Sequence, residues 1–524
     1  MSTAAEPPAS SAGDAALSHP LHREDVRALQ RLDPGAWRTQ LMARVRAGAR
    51  PLTVYGRRDG DRVLLTAVLL GEGGFSLLRT SVHPAGGYHE LTSEIPALHC
   101  FERELHEQLG VRVAGHPWLR PIRYQGKDQA AMNSYPFYRV EGKEVHEVNV
   151  GPIHAGVIEP GVFRFACFGE HVLHLEIHLG FQHRGVEERL LRKDPRALAP
   201  LVETIAGDTS AAHAWAYAAA LEALTAPAGG AREASGGAQE ASGGTQEASD
   251  GAAARARARA IALELERVAM HLAGLSGLAA DVGFVPGAST YGRLRTTAIN
   301  TTMNLCGSRF SRGAIRPFAQ PQRGGLALAK LVQKNLTLLR TDLAIIHECF
   351  LSSRTVRHRL AGVGVVSADT ARQLGLVGMA ARASGVALDA RSPGRGAFAA
   401  PPLDVCVEPA GDCLARARLR IAELSASLRW LELACAEGLA EPAAPEPARP
   451  LLPEQLAIAV VEGWRGEVIH CVETDEQGRV IHYKVQDPSL RNWMGLAMAV
   501  RGNEISDFPI CNKSFDLSYC GNDL

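Results

Sequence analysis

The sequence contains no Cys-x-x-Cys pair, although ten cysteines are spread along its 524 residues. Metal clusters need thiolates that converge on one ion, and closely spaced pairs are the usual way to supply them. Scattered single cysteines are more often small buried hydrophobic residues, and unpaired thiols fit a reducing compartment. The cysteine pattern therefore predicts mostly structural cysteines in a cytoplasmic protein.

Long apolar runs and a surplus of one charge are also missing. No run of about 18 uncharged apolar residues occurs, so no membrane span is expected. The N-terminus, MSTAAEPPASSAGDAALSHP, has neither the basic start nor the apolar stretch of a secretory signal. Lys and Arg number 56, as do Asp and Glu, so the net charge does not favour nucleic acid. Any membrane association is expected to come through partner subunits.

Changes in composition divide the chain into segments. Residues 1–24, rich in Ala, Ser and Pro, are predicted to be a disordered tail. Residues 25–124 mix strand and helix patterns and predict a small α/β sandwich domain. Residues 125–150 are interpreted as a polar linker and residues 151–524 as a second, larger domain. Inside it, residues 226–256 repeat EASGGxQ every seven residues, which predicts a flexible low-complexity insertion.

The second domain has the periodicity of a helical bundle. Long amphipathic stretches begin near Arg255, Gly325 and Asp412, and Ala211–Leu224 adds a shorter helix. Alternating patterns near residues 163–181 and 468–485 predict β-hairpins. The predicted fold class is α+β, with a small α/β sandwich followed by a helical bundle that carries peripheral β-hairpins.

The stretch from Gly151 to His213 carries the most specific motifs. It begins GPIHAGVIEPGVFRF and continues with LGFQHRGVEE and AGDTSAAH. These motifs resemble the large subunit of membrane-bound, energy-converting [NiFe] hydrogenases of the formate hydrogenlyase type. They are also similar to the quinone-site subunit of complex I, the NADH-quinone oxidoreductase. The segment FERELHEQLGVRVAGHPWLRPIRY, residues 101–124, resembles the small, 30 kDa-type subunit of the peripheral arm of complex I. The resemblance implies two fused domains, the second with the hydrogenase large-subunit fold.

The resemblance also implies where a nickel–iron centre would take its four cysteine ligands. At those positions this chain has Ala206, Thr209, Ser518 and Gly521. Alanine and glycine offer no ligand atom, and neutral hydroxyls are poor ligands for nickel, which prefers soft thiolates here. The sequence therefore predicts that this chain binds no metal.

Three retained residues are the candidate catalytic groups. Glu159 matches the glutamate that passes protons from the metal site in the hydrogenases, and a buried carboxylate with a raised pKa would suit that task. His213 and Asp208 are expected to line the same vacated cavity. The resemblance thus implies proton handling by Glu159, His213 and Asp208.

Further residues stand at signature positions of the resemblance. The candidates for cofactor binding are His154, His183 and Arg184. The alternative role for His183 is structural, in which its side chain holds the hairpin against the following helix. In the hairpin, His174 and His178 share one strand face. Because no third ligand is fixed nearby, an exposed hairpin face is favoured there over a metal site.

The resemblance implies a subunit of a complex I-like, membrane-associated oxidoreductase of the NAD(P)H/quinone or ferredoxin type. The implied partners are a small subunit with a 4Fe–4S cluster and antiporter-like and other integral membrane subunits, and a quinone is a further candidate ligand. Electron transfer through the iron–sulfur partner would be coupled to proton or ion movement, on the inner face of the cell membrane. Two alternatives stay open, a non-catalytic scaffold of such a complex and a genuine [NiFe] hydrogenase large subunit.

Overall fold

The computed structural model describes residues 21–125, 132, 136–192, 194–225, 242–319, 323–392, 396–399, 401–436, 438, 439, 441 and 449–524. Its strands, β1 to β13 in chain order, are Leu21–Asp25, Arg31–Leu32, Arg50–Asp59, Arg62–Gly71, Gly74–Val82, Tyr88–His89, Val113–Ala114, Val145–Val150, Val162–Phe168, His171–His178, Gln455–Glu462, Glu467–Thr474 and Val480–Gln486. Its α-helices, α1 to α15, are Pro34–Arg46, His99–Leu109, Val186–Leu190, Ala199–Val202, Ser210–Ala223, Ser242–Asp281, Val285–Cys306, Leu326–Ser352, Arg354–Leu360, Ala368–Gln373, Gly378–Arg382, Cys413–Ala434, Pro488–Val500, Phe508–Phe515 and Tyr519–Asp523. Among these described residues, no helix combines the length and apolar character that crossing a membrane requires.

The N-terminal unit is a four-stranded sheet that is covered on both faces. Its strand order is β2-β5-β4-β3, and helices α1 and α2 pack on one face through residues such as Trp37 and Phe101. The other face, including Tyr55 and Val68, packs on the sheet β1-β11-β12-β13 of the second domain. Burial on both faces explains why β4 reads as an almost continuous apolar run. The predicted α+β class is confirmed.

Two predicted irregular segments contain strands. Residues 21–24, assigned to the disordered tail, belong to β1, which pairs antiparallel with β11. Residues 145–150, assigned to the linker, form β8, which pairs with β9 at the edge of the sheet β10-β9-β8. Both predictions were wrong because an edge strand needs only one hydrogen-bonded neighbour and tolerates polar sequences such as LHRED and VHEVNV. The rest of the predicted tail, residues 1–20, lies outside the described residues.

The helical bundle is formed mainly by α6, α7, α8 and α12. The predicted amphipathic stretches are confirmed in α6 and α8, where the apolar residues from Ile261 to Leu275 and from Val332 to Ile346 are buried at helical spacing. The predicted flexible insertion is wrong for residues 242–256, which lie within α6. Alanine, glutamate, glutamine and arginine in this stretch are strong helix formers and extend the packed C-terminal half of the helix. Residues 226–241 lie outside the described residues.

The polar face of the β9–β10 hairpin is covered by the N-terminal unit. His178 is 2% exposed, and Glu176 forms a buried ion pair with Arg120 of the N-terminal unit. The prediction of an exposed hairpin face was therefore wrong, because contacts with another unit are invisible in a local alternation pattern. Arg120 docks the two parts of the chain together.

Candidate functional site

The structure brings together the two segments in which the four cysteine-replacing residues lie. Ala206 and Thr209 form the loop before α5, and Ser518 and Gly521 belong to the start of α15. Asp487, the N-cap residue of α13, lies between them. Its Oδ2 atom is 3.1 Å from Nε2 of His213, and Gly521 packs directly on its carboxylate. This meeting point is the candidate functional site.

The carboxylate of Asp487 takes the space that a side chain at Gly521 would need. A Cβ atom built on Gly521 would lie 2.5 Å from Cγ and 2.6 Å from Oδ2 of Asp487, closer than real Cβ contacts. A cysteine at position 521 could not be accommodated without moving Asp487. The glycine and the aspartate therefore fit each other as a pair.

The residues present do not fit a nickel–iron centre. Ala206 and Gly521 supply no ligand atom, and the hydroxyl of Ser518 accepts the hydrogen bond of the Gly521 N–H at 2.9 Å as a helix cap. Cys520 is the thiol of this segment, and burial raises its pKa, which disfavours the thiolate that a metal needs. Among the described residues, no three or more His, Cys, Asp or Glu side chains are arranged to hold a metal ion.

Four buried side chains form a continuous hydrogen-bonded chain through the site, here called the histidine relay. His213 Nε2 lies 3.1 Å from Asp487 Oδ2, and His213 Nδ1 lies 3.2 Å from His470 Nε2. His470 Nδ1 lies 2.8 Å from the hydroxyl of Tyr483. None of the four residues is more than 1% exposed. With both imidazoles neutral, each N–H or O–H donates toward Asp487 and every group is satisfied.

The protonation states of the relay follow from burial and contact. Burial, with His213 as a second cause, lowers the pKa of His470 well below its ordinary value. Burial raises the pKa of Tyr483 well above its ordinary value. At Asp487, burial acts to raise the pKa, but the hydrogen bonds of His213 and Ser489 and the charge of Arg465 outweigh it, so the pKa is lowered. At neutral pH, the relay therefore joins a carboxylate to a neutral phenol through a neutral His470.

The sheet β1-β11-β12-β13 positions the relay residues. Strand β12 pairs antiparallel with β13, and its register sets His470 opposite Val485 and Val472 opposite Tyr483. The chain then leaves β13 at Asp487, whose Oδ1 accepts the N–H of Ser489 at 2.8 Å and starts α13. One hairpin and its following N-cap thus supply three of the four relay groups.

Asp208 is held in an ion pair with Arg465. Its two carboxylate oxygens accept hydrogen bonds from both terminal nitrogens of the guanidinium at 2.6 and 2.7 Å. Arg465 also donates to the hydroxyl of Thr209 at 3.1 Å. Burial acts to raise the pKa of Asp208, but Arg465 outweighs it and the pKa is lowered. A carboxylate of this kind accepts protons poorly, so Asp208 positions the loop before α5, and its expected proton-handling role is not supported by this geometry.

Glu266 on α6 is the carboxyl group that the sequence argument missed. Its Oε2 accepts the N–H of Ala211 at 2.8 Å, and its Oε1 has no hydrogen-bond partner among the described residues. It is 5% exposed. Burial, reinforced by the charge of Asp208, raises its pKa to about 8. The raised pKa favours the protonated form of Glu266 near neutral pH, which makes it a candidate proton-holding group at the N-terminal end of α5.

Glu159 is exposed, which contradicts the expectation of a buried carboxylate. Its Oε2 accepts the backbone N–H of Cys520 at 3.2 Å, so it does reach the candidate site. The loop around it is turn-rich and turns toward solvent, with Ile153 and Val157 more than four-fifths exposed. A signature motif predicted its proximity to the site correctly but not its burial.

The three candidate cofactor-binding residues hold backbone carbonyl groups. His154 Nε2 lies 2.7 Å from the carbonyl of Gly161, and His183 Nδ1 lies 2.8 Å from the carbonyl of Asp523. Arg184 donates to the carbonyls of Thr204 and Ile205 at 2.7 and 3.0 Å. These contacts fix the loops around the site, so bracing is the role that the geometry gives them, and cofactor binding stays a prediction.

Sequence reasoning missed His470, Tyr483 and Asp487. The alternation of β12 and β13 predicted a hairpin, and Asp487-Pro488-Ser489 carries the signal of a helix N-cap. No local signal places these groups beside His213, because 257 residues separate His213 from His470. Their convergence depends on how α5 packs against β12.

The fold is similar to that of large subunits of the hydrogenase and complex I kind. Residues 281–449 match the family model of the respiratory-chain NADH dehydrogenase 49 Kd subunit. The resemblance to the large subunits of energy-converting hydrogenases and to the quinone-site subunit of complex I is confirmed.

Curated relatives are similar to this chain over most of its length. The chain is 26% identical over 461 residues to formate hydrogenlyase subunit 5 of Escherichia coli, which covers 83% of this chain and 77% of that protein. It is 27% identical over 388 residues to the membrane-bound hydrogenase subunit alpha of Pyrococcus furiosus, a match that covers 71% of this chain and 85% of that protein. It is 28% identical over 432 residues to the NADH-quinone oxidoreductase C/D subunit of Bacteroides thetaiotaomicron, a match that covers 73% of this chain and 76% of that protein.

A solved structure shows the same fold. A chain of the membrane-bound sulfane sulfur reductase, an archaeal respiratory membrane complex, superposes with a TM-score of 0.62 and 21% sequence identity. The match covers 74% of this chain and 100% of that chain.

Proposed function

We propose that this chain is a subunit of a membrane-associated respiratory oxidoreductase and that it handles protons without a nickel–iron centre of its own. The relatives named above are subunits of hydrogenases and of an NADH-quinone oxidoreductase, which supports the class of complex. The observation that carries the metal-free part is the carboxylate of Asp487 packed into the space beside Gly521.

Electron transfer is assigned to a partner. The described residues offer no set of ligands for a metal ion, so we place the 4Fe–4S cluster on a small partner subunit. A quinone is the small acceptor that we propose to test first, and NAD(P)H and ferredoxin are the donor types. Attachment to the inner face of the cell membrane is assigned to integral membrane partners, including antiporter-like subunits.

The chain's own contribution is proton movement through the histidine relay. Asp487 can take the proton of His213, which is replaced by that of His470 and then by that of Tyr483, without large movements of the heavy atoms. The phenolate left at Tyr483 is then reprotonated by a water molecule that enters the site. Hydrogen bonds of 2.8 to 3.2 Å join all four groups, which is the reach that proton transfer needs. Glu266 lies nearby as a neutral carboxyl group. Coupling to a partner's reduction then requires only that electron arrival changes the affinity of Asp487 for a proton.

Substitution of Tyr483 by Phe tests this function, because it removes only the hydroxyl group at the end of the relay. We expect turnover and proton uptake by membrane vesicles that carry the assembled complex to fall at least about ten-fold, measured with a short-chain quinone as acceptor. Tyr217→Phe is the matched control, since this buried hydroxyl donates to the carbonyl of Pro195 and stands outside the relay.

Equal turnover in both variants and in the wild-type complex would contradict the relay and favour a non-catalytic scaffold. An equal loss in both variants would indicate damage to the fold, which a comparison of their thermal unfolding detects. A loss confined to Tyr483→Phe supports the proposal.

A further inference from the structure

A cavity of about 300 Å³ lies between the N-terminal unit and the second domain. It is walled by α2, by β10 and by α13, and no residue of the histidine relay lines it. Its volume is at the lower end of the range that small-molecule sites occupy. Apolar side chains such as Leu175, Ile177 and Met494 form most of its surface.

Three buried side chains in the wall have polar atoms without a partner among the described residues. These atoms are Nε2 of His99, both ring nitrogens of His178, and Nε1 of Trp493. The three residues are 8%, 2% and 6% exposed. Buried polar groups are nearly always hydrogen-bonded, and each one left without a partner costs free energy. Several such atoms around one cavity favour a site for a polar ligand.

The unpartnered atoms of His99 and Trp493 are donors. Nδ1 of His99 lies 3.4 Å from Nη1 of Arg103, and because a guanidinium only donates, Nδ1 accepts and Nε2 carries the proton. The indole N–H of Trp493 can only donate. Burial lowers the pKa of His99 and of His178 to about 3, so both rings are neutral at pH 7. The ligand must therefore bring acceptor atoms.

The wall also has more positive than negative charge. Glu176, the carboxylate of the wall, is already paired with Arg120 and accepts the N–H of Tyr138 at 3.1 Å. Arg103 donates to the carbonyls of Arg120 and Pro121 and lies over the ring of Trp118, 4.1 Å from its centre. Arg501 contacts Nδ1 of His174 at 3.0 Å. No described carboxylate forms an ion pair with Arg103, which is buried, or with Arg501, which is exposed at the rim, so an anion in the cavity would meet two cations and no free carboxylate.

We propose that this cavity binds a small organic monocarboxylate with an apolar body. The carboxylate supplies the acceptor atoms and the negative charge that the N–H donors and arginines of the wall lack. The apolar body packs on the side chains of β10 and α13. This site is separate from the proposed function and does not depend on it.

Isothermal titration calorimetry of the full chain tests the site with three probes of equal size and different charge. The probes are 4-phenylbutanoate, its neutral amide, and the cationic 4-phenylbutylamine. We expect saturable binding of the carboxylate and at least about ten-fold weaker binding of the amide and the amine, because they lack the matching charge. Binding of the amide or amine as tight as that of the carboxylate would overturn the anionic assignment.

Variants locate the binding in the cavity. Trp493→Phe keeps the ring but removes the donor, and we expect about five-fold weaker binding of 4-phenylbutanoate. Ala497→Leu places extra atoms in the cavity and should abolish binding, with an unchanged circular dichroism spectrum to show that the chain is folded. Trp430→Phe, which removes a buried indole N–H that is bonded to the carbonyl of Pro401, is the control and should bind like the wild type. Absence of carboxylate binding to the wild type, or full binding to Ala497→Leu, would overturn the proposal.

Discussion

The histidine relay and a cluster of arginines in the helical bundle are both buried and polar, but their chemistry is opposite. The arginine cluster joins Arg382 to Glu423 at 2.8 Å, to Glu462 at 2.7 Å and to Asp389 at 3.4 Å. Arg391 and Arg267 pair with Glu264 in the same cluster at 2.9 and 3.3 Å. The relay contains one carboxylate, two imidazoles and one phenol.

The difference concerns which protons can move. Burial acts to lower the pKa of Arg382, but Glu423, Asp389 and Glu462 outweigh it and raise the pKa, so the guanidinium never gives up a proton. Burial acts to raise the pKa of Glu423, but Arg382 and His271 lower it far more, so it stays ionised. Such fixed charges hold helices α6, α11 and α12 together. Imidazoles and a phenol in a hydrogen-bonded row can instead exchange protons.

Loss of Arg382 should have the largest effect on stability. Arg382→Met leaves Glu423, Asp389 and Glu462 with less compensation in the core, and we expect a loss of about 3–5 kcal/mol in the free energy of unfolding by urea. Arg372→Met is the control, because Arg372 forms an exposed pair with Asp369 and should cost less than about 1 kcal/mol. Similar losses in the two variants would show that the buried arginine cluster stabilises the fold no more than an exposed ion pair does.

Glu266 provides a second contrast with the arginine cluster, because it is a buried carboxyl group that forms no ion pair with an arginine among the described residues. Its pKa is raised from 4.5 to about 8 in the folded chain, so the folded state binds this proton more tightly than the unfolded state. The resulting stability is fully present below pH 4.5 and is lost as the pH rises through 8. Glu266→Gln cannot lose a proton, so its stability relative to the wild type should rise with pH over this interval.

The rise is expected to approach about 1.36 kcal/mol per pH unit at most. Urea denaturation of the wild-type chain and the variant at several pH values measures it. A stability difference that does not depend on pH would show that Glu266 is ionised in the folded chain at neutral pH.

Glu159 should give the smallest effect. It is exposed and contacts the site through the backbone N–H of Cys520, so Glu159→Gln preserves the hydrogen bond and removes only an exposed charge. We expect less than about a three-fold change in turnover of the assembled complex, well below the effect of a group that transfers the proton. A loss as large as that of Tyr483→Phe would move the proton path from the relay to the exposed loop.

The elements with strong periodicity could be predicted from the sequence. In a helix such as α8 or a hairpin such as β12–β13, the apolar residues recur at the spacing that places them on the buried face. The edge strands β1 and β8 could not be predicted, since their polar sequences are specified by a partner strand. Part of the candidate site could also be predicted from the sequence. Motifs located His213, Glu159 and the four cysteine-replacing positions. The burial of His178 and the meeting of His213 with His470 and Asp487 depend on contacts between distant segments.

Elemental analysis of the purified complex for nickel and iron, with electron paramagnetic resonance of its clusters, tests whether this chain works without a nickel–iron centre. We expect iron in the amount that the partner's clusters explain, and no nickel. Nickel in stoichiometric amount with this chain would contradict it, because the carboxylate of Asp487 and Gly521 would then have to rearrange to admit a metal centre.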